Sequence, residues 1–579
     1  MPAGHAMTSR DTVLSIDCGG THTDAVCVRA GRVEAQAKVA TRHDNLPLSI
    51  SEVLDEIAAQ LGQNALSLVQ RITLGTTLLV NAAVQGRLDP VGLILSAGPG
   101  LNPERFAIGE HVSIVPGGLD HRGVEVSPLD TASLEKDVAL MADEGVSAFA
   151  CVGKFSPRNP LHEERMGEVV KRAAPSAFVT LGHRLGGELN FPRRMATAYY
   201  NSAAFRLHRD FLDAVSEVLA QKGCRADIYL LKADGGAIPL SAARPCPVQS
   251  MLSGPAASVM GALALDDHIG DKTTLLLDMG GTTTDLAFFV CGSPVLDRDG
   301  MKVEGRRTLI RSLATRSIGI GGDSLLHVEK GDSGPVLETG PVREGRALAF
   351  GGARATLLDA LNVLNSKDGM DEVAGNVAAS QKGLAELGAI LGVEASRAAE
   401  MAVDNATAKI CAAISGMTED INSRPVYTLR ELKEYSDVRP ERVCLVGGPS
   451  ACVQNRLSQA LNLDVTTLPL ADVANAVGAA LTRPSAIIQV FAHTGKRNLI
   501  VPELDVTESL PSHASLPYVE ERALALLKDN LARNGIMNYP IQVTQSELFA
   551  VLADNGASAK DMRVTAQVVP GLATRLVRS

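Results

Sequence analysis

Residues 15–27 read SIDCGGTHTDAVC, and residues 276–288 read LLDMGGTTTDLAF. Both stretches share the pattern D-x-G-G-T-x-T-D, and apolar residues come before and after each copy. This arrangement predicts two strands joined by a tight glycine turn. The shared positions are Asp17, Gly19, Gly20, Thr21, Thr23 and Asp24 in the first copy and Asp278, Gly280, Gly281, Thr282, Thr284 and Asp285 in the second. The repeat predicts that the fold itself is duplicated.

The residue types in the repeat favour a phosphate site over a purely structural hairpin. A structural hairpin needs neither an aspartate near the end of the first strand nor hydroxyl groups after the glycines. A phosphate site uses both, because glycines let main-chain N–H groups approach the oxygens, hydroxyls add donors, and carboxylates hold Mg²⁺ or its water shell. We therefore predict Asp17 and Asp278 as catalytic Mg²⁺ ligands, and Asp24 and Asp285 as residues that brace the hairpins. The predicted phosphate-binding residues are Gly19, Gly20, Thr21, Thr23, Gly280, Gly281, Thr282 and Thr283.

Two further glycine pairs follow the second copy of the repeat. Gly321 and Gly322 precede an apolar run, and Gly447 and Gly448 end a strand-like run and open a helix-like stretch at 451–460. The order of these elements resembles the two-lobed ATPase fold of actin, sugar kinases and heat-shock chaperones. In that fold the two hairpins clasp the phosphates of ATP from opposite lobes, and the last glycine pair lies against the adenosine. The resemblance therefore implies ATP as the ligand and adds these four glycines to its site.

The fold class predicted from this order is α/β. It is a duplicated, actin-like ATPase fold with two ribonuclease H-like lobes, an inserted N-terminal subdomain and a small C-terminal α+β tail. Two segments rich in Ala and Gly, 253–262 and 474–480, are predicted as the helices between the lobes, since small residues at helical spacing allow close backbone approach.

Segments outside the shared fold resemble the hydantoinase A/5-oxoprolinase family. The resemblance covers roughly residues 11–485. It is carried by Gly75, Thr76, Thr77, Asn81 and Ala82, by the segments 232–239, 252–258 and 278–285, and by His183, Glu188, Arg194, Thr197 and Asn201. The sequence departs from the family at Leu74, where a histidine is frequent, and at Gly182, where a serine precedes the histidine.

The family resemblance implies ATP-dependent opening of a cyclic amide or imide, such as a hydantoin or 5-oxoproline. It also implies a second, B-type subunit for the hydrolytic half of the reaction. His183 is the predicted catalytic histidine, with His22 and Arg194 as further polar candidates, because a general base or oxyanion partner is needed. Asp234, which precedes Gly235 and Gly236, belongs to either a turn or a substrate loop, and a turn is the default interpretation.

The length of 579 residues predicts several domains. We expect an N-terminal domain at 11–200 with the first hairpin, an ATPase domain at 201–484 with the second, and a C-terminal domain at 485–579. The last of these carries no recognisable chemistry, and a helix is expected near 518–534. Charged stretches at 163–165 and 430–434 are interpreted as solvated helix faces.

Composition excludes several classes of protein. The net charge is -10 and aromatic residues make up 3%, which disfavours nucleic-acid binding by phosphate neutralisation or base stacking. No apolar run approaches the roughly 20 residues of a membrane span. The nine cysteines form no C-x-x-C pair and several lie in apolar runs, which is typical of a reducing compartment. With no secretory signal visible, we expect a cytoplasmic protein.

Two other functions share the predicted hairpins. A small-molecule kinase would release a stable phosphate ester. A non-catalytic ATP-driven switch would close its lobes on the nucleotide and act on a partner enzyme. The family-like segments favour the amidohydrolase over both, whereas the fold by itself would not.

Overall fold

The computed structural model describes residues 12–42, 45–62, 64–96, 98–331, 334–424, 437–511, 513–552 and 558–577. Two mixed sheets form the centres of two lobes. In bonding order, the first sheet contains Ala237–Pro239, Asp227–Leu231, Arg71–Thr76, Thr12–Cys18, His22–Arg29 and Arg32–Ala40. The second contains Ser293–Pro294, Thr284–Val290, Thr274–Met279, Arg442–Val446 and Asp464–Thr467, and Thr315–Ile318 also pairs with Thr284–Val290.

The two sheets are built in the same order, which confirms the predicted duplication. In each sheet an antiparallel hairpin is followed by two strands that run parallel to its first strand. Asp17 pairs with Asp24 across the first hairpin, and Asp278 pairs with Asp285 across the second. The residues of the first strands of both hairpins are buried. Apolar side chains therefore fill both faces, as expected for a central strand between helical layers.

Two smaller sheets complete the fold. One of them is an all-parallel sheet whose strands come from the part of the chain between Arg71–Thr76 and Asp227–Leu231. Its bonding order is Phe178–Leu181, Ala148–Gly153, Gly92–Ser96 and Val112–Ile114. A five-stranded antiparallel sheet packs against the helix Leu516–Arg533 near the C-terminus, in the order Val506–Ser509, Asn498–Val501, Ile487–His493, Ser558–Val568 and Ile541–Leu552. These are the predicted inserted subdomain and α+β tail.

The helices lie on the outer faces of the sheets and between the lobes. Those of eight or more residues are Leu46–Leu61, Thr131–Asp143, Leu161–Ala173, Phe191–Gln221, Ser253–Leu265, Leu357–Lys367, Val377–Leu391, Ala395–Asn422, Ser450–Leu461, Ala474–Leu481 and Leu516–Arg533. Within the described ranges, none of them combines the length and the apolar character that crossing a bilayer requires.

The two small-residue segments pack against each other, as predicted. A methyl group on Gly478 would lie 2.2 Å from the carbonyl oxygen of Ala257, and one on Gly261 would lie 2.2 Å from that of Ala474. The helices Ser253–Leu265 and Ala474–Leu481 therefore meet backbone to backbone. A core of buried apolar side chains drawn from both sheets and both helices surrounds this crossing.

The proposed division of the chain at residues 200 and 484 stays a prediction. Asp227–Leu231, which follows residue 200, pairs with Arg71–Thr76 in the first sheet. The stretch 430–434 lies outside the described residues, so its interpretation as a solvated face also stays a prediction.

Candidate functional site

The two glycine turns close in the same way. The N–H of Gly19 donates to the carbonyl oxygen of His22 at 3.0 Å, and the N–H of Gly280 donates to that of Thr283 at 2.9 Å. No main-chain or side-chain acceptor in the described parts of the chain takes the next two N–H groups in either turn, at positions 20, 21, 281 and 282. Two adjacent free N–H groups in a glycine turn form a concave anion site.

The turns of the two lobes face each other. A methyl group on Gly281 would lie 3.8 Å from the hydroxyl of Thr21 and 2.8 Å from a carboxylate oxygen of Asp323. A methyl group on Gly20 would lie 3.4 Å from Nδ2 of Asn81, one of the residues that carry the family resemblance. Residues that are hundreds of positions apart in the chain therefore form one cleft.

The other two glycine pairs line the second turn. The N–H groups of Gly322 and Asp323 donate to the carbonyl oxygens of Gly280 and Gly281, at 2.9 and 2.7 Å. Gly447 has a φ of +94°, and a methyl group there would lie 2.8 Å from Oδ1 of Asp278. By contrast, a methyl group on Gly448 would touch no atom of the described residues within 4 Å. That open position lies where the resemblance implies adenosine.

The threonines divide into two groups. Thr21, Thr282 and Thr283 are half-buried at the turns, whereas Thr23 and Thr284 are fully buried. The hydroxyl of Thr23 bonds with that of Thr41 at 3.0 Å, and the hydroxyl of Thr284 donates to the carbonyl oxygen of Ile320 at 2.6 Å. If Thr23 also contacts phosphate, as predicted, its hydroxyl must serve both the phosphate and the hydrogen bond with Thr41.

The carboxylates of the cleft have raised pKa values. Burial, together with the negative charge of Asp24, raises the pKa of Asp17 to about 7, and the charge of Asp278 adds to this. Burial raises the pKa of Asp278 as well, although the hydroxyl of Ser258 donates to it and opposes the shift. Burial and the charge of Asp278 raise the pKa of Asp285 to about 7. The cleft therefore holds several carboxyl groups whose negative charges repel one another, and the positive charge of Lys38 opposes the shifts of Asp17 and Asp278.

These acids fit a Mg²⁺ ion. Oδ1 of Asp17 is buried and has no hydrogen-bond partner among the described residues. No group of three or more His, Cys, Asp or Glu side chains in those same ranges could hold a metal ion. Mg²⁺ is typically held by one or two carboxylates together with water and substrate phosphates, so two aspartates from opposite hairpins suit it.

Asp24 braces the first hairpin, as predicted. Its two carboxylate oxygens each accept a hydrogen bond from Nζ of Lys38 at 2.8 Å, and the same Nζ donates to the carbonyl oxygen of Asp472 at 2.9 Å. Burial still keeps the pKa of Asp24 above its ordinary value, with Lys38 opposing the shift.

An arginine that the sequence analysis missed lies beside the second turn. Nε and Nη2 of Arg343 donate to Oδ2 of Asp323 at 3.1 and 2.9 Å. His22 also lies near this pair: burial and Lys38 lower its pKa, the charge of Asp323 opposes this, and Arg343 and Arg346 lower it further. The Gly-Gly-Asp sequence at 321–323 pointed to Asp323, but nothing in the sequence around Arg343 pointed to that residue.

His183 lies in the inserted subdomain rather than at the hairpins. Its Nδ1 is 2.7 Å from Oε2 of Glu163, and both side chains are buried. Burial lowers the pKa of His183, but the hydrogen bond and the charge of Glu163 outweigh it, so the pKa is raised overall. Among the described residues, no hydrogen bond or ion pair joins His183 to either hairpin. Its catalytic role stays a prediction.

The interpretation of residues 163–165 as a solvated face is wrong for Glu163. This side chain is 0% exposed, and it also accepts hydrogen bonds from the main-chain N–H groups of Gly153 and His183 at 2.8 and 2.7 Å. These donors, together with His183, outweigh the cost of burial and hold its pKa below the ordinary value. Glu163 is therefore a charged core residue with a full set of partners.

Arg194 also has a structural position. Its guanidinium is buried and donates to the carbonyl oxygens of Glu188 and Lys154 at 2.9 and 3.0 Å, and to that of Gly153. Burial lowers its pKa to about 10, so the side chain keeps its charge at neutral pH. All of these contacts are within the inserted subdomain or its neighbouring helix.

Asp234 forms the predicted turn and also an ion pair. Oδ1 accepts the N–H of Gly236 at 3.0 Å, and Gly235 has a φ of +79°, which favours glycine. Oδ2 lies 3.2 Å from Nζ of Lys232, and both side chains are only 8% exposed.

The raised pKa values predict how stability changes with pH. A carboxylate whose pKa is higher in the folded state stabilises the fold when protonated, and this contribution is lost as the pH rises through the folded value. Since Asp17 and Asp285 have pKa values of about 7, the melting temperature of the nucleotide-free protein is expected to fall between about pH 5 and pH 8.

Asp285→Asn is the variant that checks this expectation. It removes one of the two carboxyl groups that titrate near neutral pH, so its melting temperature should fall less over the same interval when both proteins are followed by circular dichroism. Parallel pH profiles for the two proteins would contradict the assignment of the shift to this carboxylate.

Comparisons with known proteins agree with the geometry. A family model described as hydantoinase/oxoprolinase matches residues 194–488, and one described as the hydantoinase/oxoprolinase N-terminal region matches residues 13–174. Caprolactamase subunit alpha of Pseudomonas jessenii is 26% identical over 61% of this chain and 54% of its own length. Acetophenone carboxylase gamma subunit of Aromatoleum aromaticum is 24% identical over 62% of this chain and 54% of its own length. The chain thus spans about half the length of these relatives.

Solved structures show the same fold. The ATP-dependent caprolactamase from Pseudomonas jessenii superposes on this chain with a TM-score of 0.71 at 18% identity. The superposition covers 97% of this chain and 88% of the caprolactamase chain. The nucleotide-free structure of acetone carboxylase superposes with a TM-score of 0.70 at 16% identity and covers 98% and 89%, respectively.

Proposed function

This chain belongs to the hydantoinase/oxoprolinase family, and from that membership we propose that it is the ATP-binding A-type subunit of an enzyme that opens a cyclic amide or imide. The observation that carries the proposal is the cleft itself, in which two glycine turns and the carboxylates of Asp17 and Asp278 meet from opposite lobes. The free energy of ATP would be used to activate an otherwise unreactive carbonyl group.

The protein's part in the reaction is mainly positioning and charge neutralisation. The N–H groups at 20, 21, 281 and 282 would hold phosphate oxygens, because those of Gly19 and Gly280 already close the turns. Asp17 and Asp278 would hold Mg²⁺, which supplies positive charge against the phosphates when bound. Arg343, held by Asp323 at the second turn, would offset the charge that remains.

Transfer of the terminal phosphoryl group to the amide oxygen would replace a poor leaving group with phosphate. One water would then add to the activated carbon, and the C–N bond would break as the nitrogen takes up a proton, which leaves a ring-opened acyl phosphate. A second water would hydrolyse that acyl phosphate to the free carboxylate and phosphate. Closure of the two lobes would keep water away from the activated ring until the hydrolytic half is assembled. We infer that a B-type subunit provides that half. Because all nine cysteines are free, we also infer that the protein works in a reducing, cytoplasmic environment.

Binding of the nucleotide is expected to stabilise the fold. At about 100 times the dissociation constant, ATP with Mg²⁺ should add roughly 2.7 kcal/mol to the free energy of unfolding. A thermal shift assay with ATP, ADP and GTP, with and without Mg²⁺, measures this directly. If no purine nucleotide raised the melting temperature, the nucleotide site would be refuted.

The reaction is tested by coupling ATP turnover to ring opening. The purified chain is incubated with ATP, Mg²⁺ and a panel of hydantoins, 5-oxoproline and lactams, with and without a co-encoded B-type subunit. We expect slow ATP turnover by the chain alone, and phosphate release with ring-opened product in a fixed ratio when the partner and the right ring are present.

The other outcomes separate the alternatives. A stable phosphate ester would favour a kinase, and ATP turnover that responds to the partner but to no ring would favour a switch. Labelled bicarbonate added to the same assay tests carboxylation, which is a second candidate because acetophenone carboxylase is among the relatives. Label in the product would favour that candidate. Complete ring opening by the isolated chain would refute the partner requirement.

A further inference from the structure

A lysine on the edge strand of the first sheet bonds to both lobes. Lys38 is level with Asp24 in the pairing of Arg32–Ala40 with His22–Arg29. Its Nζ donates to both carboxylate oxygens of Asp24 at 2.8 Å and to the carbonyl oxygen of Asp472 at 2.9 Å. An ammonium group has three N–H donors, so these three acceptors match them all. Lys38 is therefore placed to hold neighbouring segments together rather than to contact a phosphate oxygen.

Asp472 lies in the segment 468–473, which we call the connector. The connector follows the last strand of the second sheet and leads into the interlobe helix Ala474–Leu481. The carbonyl oxygen of Ala471 accepts the N–H of Gly447 at 2.7 Å, so the connector is bound to the second lobe one residue before it meets the lysine. Two adjacent carbonyl groups thus join a turn of the second lobe to the edge of the first sheet.

The start of the interlobe helix lies beside the two predicted Mg²⁺ ligands. Burial raises the pKa values of Asp17 and Asp278, and hydrogen bonding by the side chain of Asn475 opposes both shifts. The hydroxyl of Ser15 donates to the carbonyl oxygen of Ala476 at 2.5 Å, which ties this turn of the helix to the strand that carries Asp17. A displacement of the connector would therefore shift the groups around both carboxylates.

A cross-strand ion pair by itself would only stabilise the edge of the sheet. The same two strands carry such a pair, in which Nη1 of Arg29 lies 3.0 Å from Oε2 of Glu34. The side chains of Lys38 and Glu34 are each 33% exposed. Among the described residues, no hydrogen bond or ion pair joins Arg29 or Glu34 to the connector. The bond to the carbonyl oxygen of Asp472 therefore distinguishes Lys38 from an ordinary member of an edge pair.

We propose that Lys38 is a positioning residue for phosphoryl transfer, which holds the connector against the first hairpin and so fixes the spacing of Asp17 and Asp278 across the cleft. This rests on the proposed function for the chemical step, and on the contacts of Lys38 for the positioning. Without the bond to Asp472, the connector and the start of the interlobe helix can move relative to the first hairpin. The two aspartates then lose the arrangement that the reaction needs, and small misplacements of this kind slow catalysis strongly. The glycine turns are unchanged and still bind ATP.

Hydrogen exchange tests the positioning without requiring turnover. In the full chain, with and without ATP and Mg²⁺, Lys38→Met is expected to raise the exchange rates of the main-chain amides in 470–481 by at least about tenfold, as measured by mass spectrometry. Glu34→Gln is the matched control and should leave these rates unchanged. If Lys38→Met speeds exchange in the edge strand Arg32–Ala40 but not in 470–481, the lysine merely stabilises that strand and the proposal is overturned.

Turnover tests whether this positioning serves the reaction. With the partner and ring present, Lys38→Met is expected to lower kcat by at least about 30-fold, while the KM for ATP changes by less than about threefold. Lys38→Arg keeps the charge and offers five donors, so it should restore the slow exchange of the connector and at least about a third of the wild-type kcat. A fall in kcat without faster exchange of the connector, or faster exchange with a wild-type kcat, would refute the assignment.

The outcomes are separable from those of the coupled assay. If the connector of Lys38→Met exchanges faster but no ring stimulates ATP turnover in the wild type, the proposed function fails and the tie between the lobes stands. If Lys38→Met and the wild type open the ring at the same rate, the function stands and the role of Lys38 is wrong.

Discussion

Replacing Asp278 with asparagine is expected to slow phosphoryl transfer by at least about 100-fold, which corresponds to a loss of about 2.7 kcal/mol or more of transition-state stabilisation. The amide keeps the shape of the side chain but removes the charge that would hold Mg²⁺ beside the phosphates. Asp278 is closely surrounded by the hydroxyl of Ser258 and the turn at Gly447, and asparagine fits there without repacking because it has nearly the same size and shape. Phosphate release under saturating ATP, with the partner and ring present, measures the effect.

Asp17→Asn should have a similar effect, since the two hairpins contribute equivalent carboxylates. Asp271→Asn is a suitable control, because this aspartate is exposed, lies shortly before the second hairpin and pairs with His268. Wild-type turnover in both Asp17→Asn and Asp278→Asn would show that these aspartates are merely structural. A loss in the control as large as in the test variants would point to a general effect of charge.

Replacing Gly478 with valine is expected to destabilise the protein by about 3 kcal/mol or more, since it forces side-chain atoms into a closed backbone contact. The first carbon of the new side chain would lie 2.2 Å from the carbonyl oxygen of Ala257 and 2.3 Å from the main-chain nitrogen of Gly261. Neither group can rotate away, so the two interlobe helices would have to separate. Differential scanning calorimetry should show a melting temperature lower by about 6 °C or more.

Gly270→Val is the matched control. A side chain at Gly270 would meet no atom of the described residues within 4 Å, and this glycine lies in an exposed turn after the helix Ser253–Leu265, against which Gly478 packs. Its effect should stay within about 0.5 kcal/mol, as for most exposed substitutions. A similar loss in both variants would show that the helix crossing has no special role.

Much of the fold could be predicted because the decisive signals are local. A turn of the type Asp-x-Gly-Gly-Thr specifies its own conformation, and the N–H of Gly19 or Gly280 closes it within three residues. Duplication of that turn made the two lobes predictable. The small residues of 253–265 and 474–481 likewise indicated close helix packing, because only side chains without bulk allow it.

The environment of the charged residues could not be predicted in the same way. Glu163 lies in a charged stretch that is typical of a solvated face, yet it is buried because His183 and two main-chain N–H groups lie within hydrogen-bonding distance. Asp323 and Arg343 form their pair from an irregular region whose sequence has no periodicity. The burial of a charge depends on which partners surround it in space, and sequence spacing does not report that.

The sequence alone therefore determined the two lobes, the duplicated turns and the residues at those turns. Turn geometry and strand burial follow from residues within a few positions of one another. Only the tertiary structure decided that Thr21 faces Gly281, that His183 pairs with Glu163 away from the turns, and that Lys38 reaches the carbonyl oxygen of Asp472. Those contacts join residues from 20 to several hundred positions apart, and they form only when the packing of complete elements brings the side chains together.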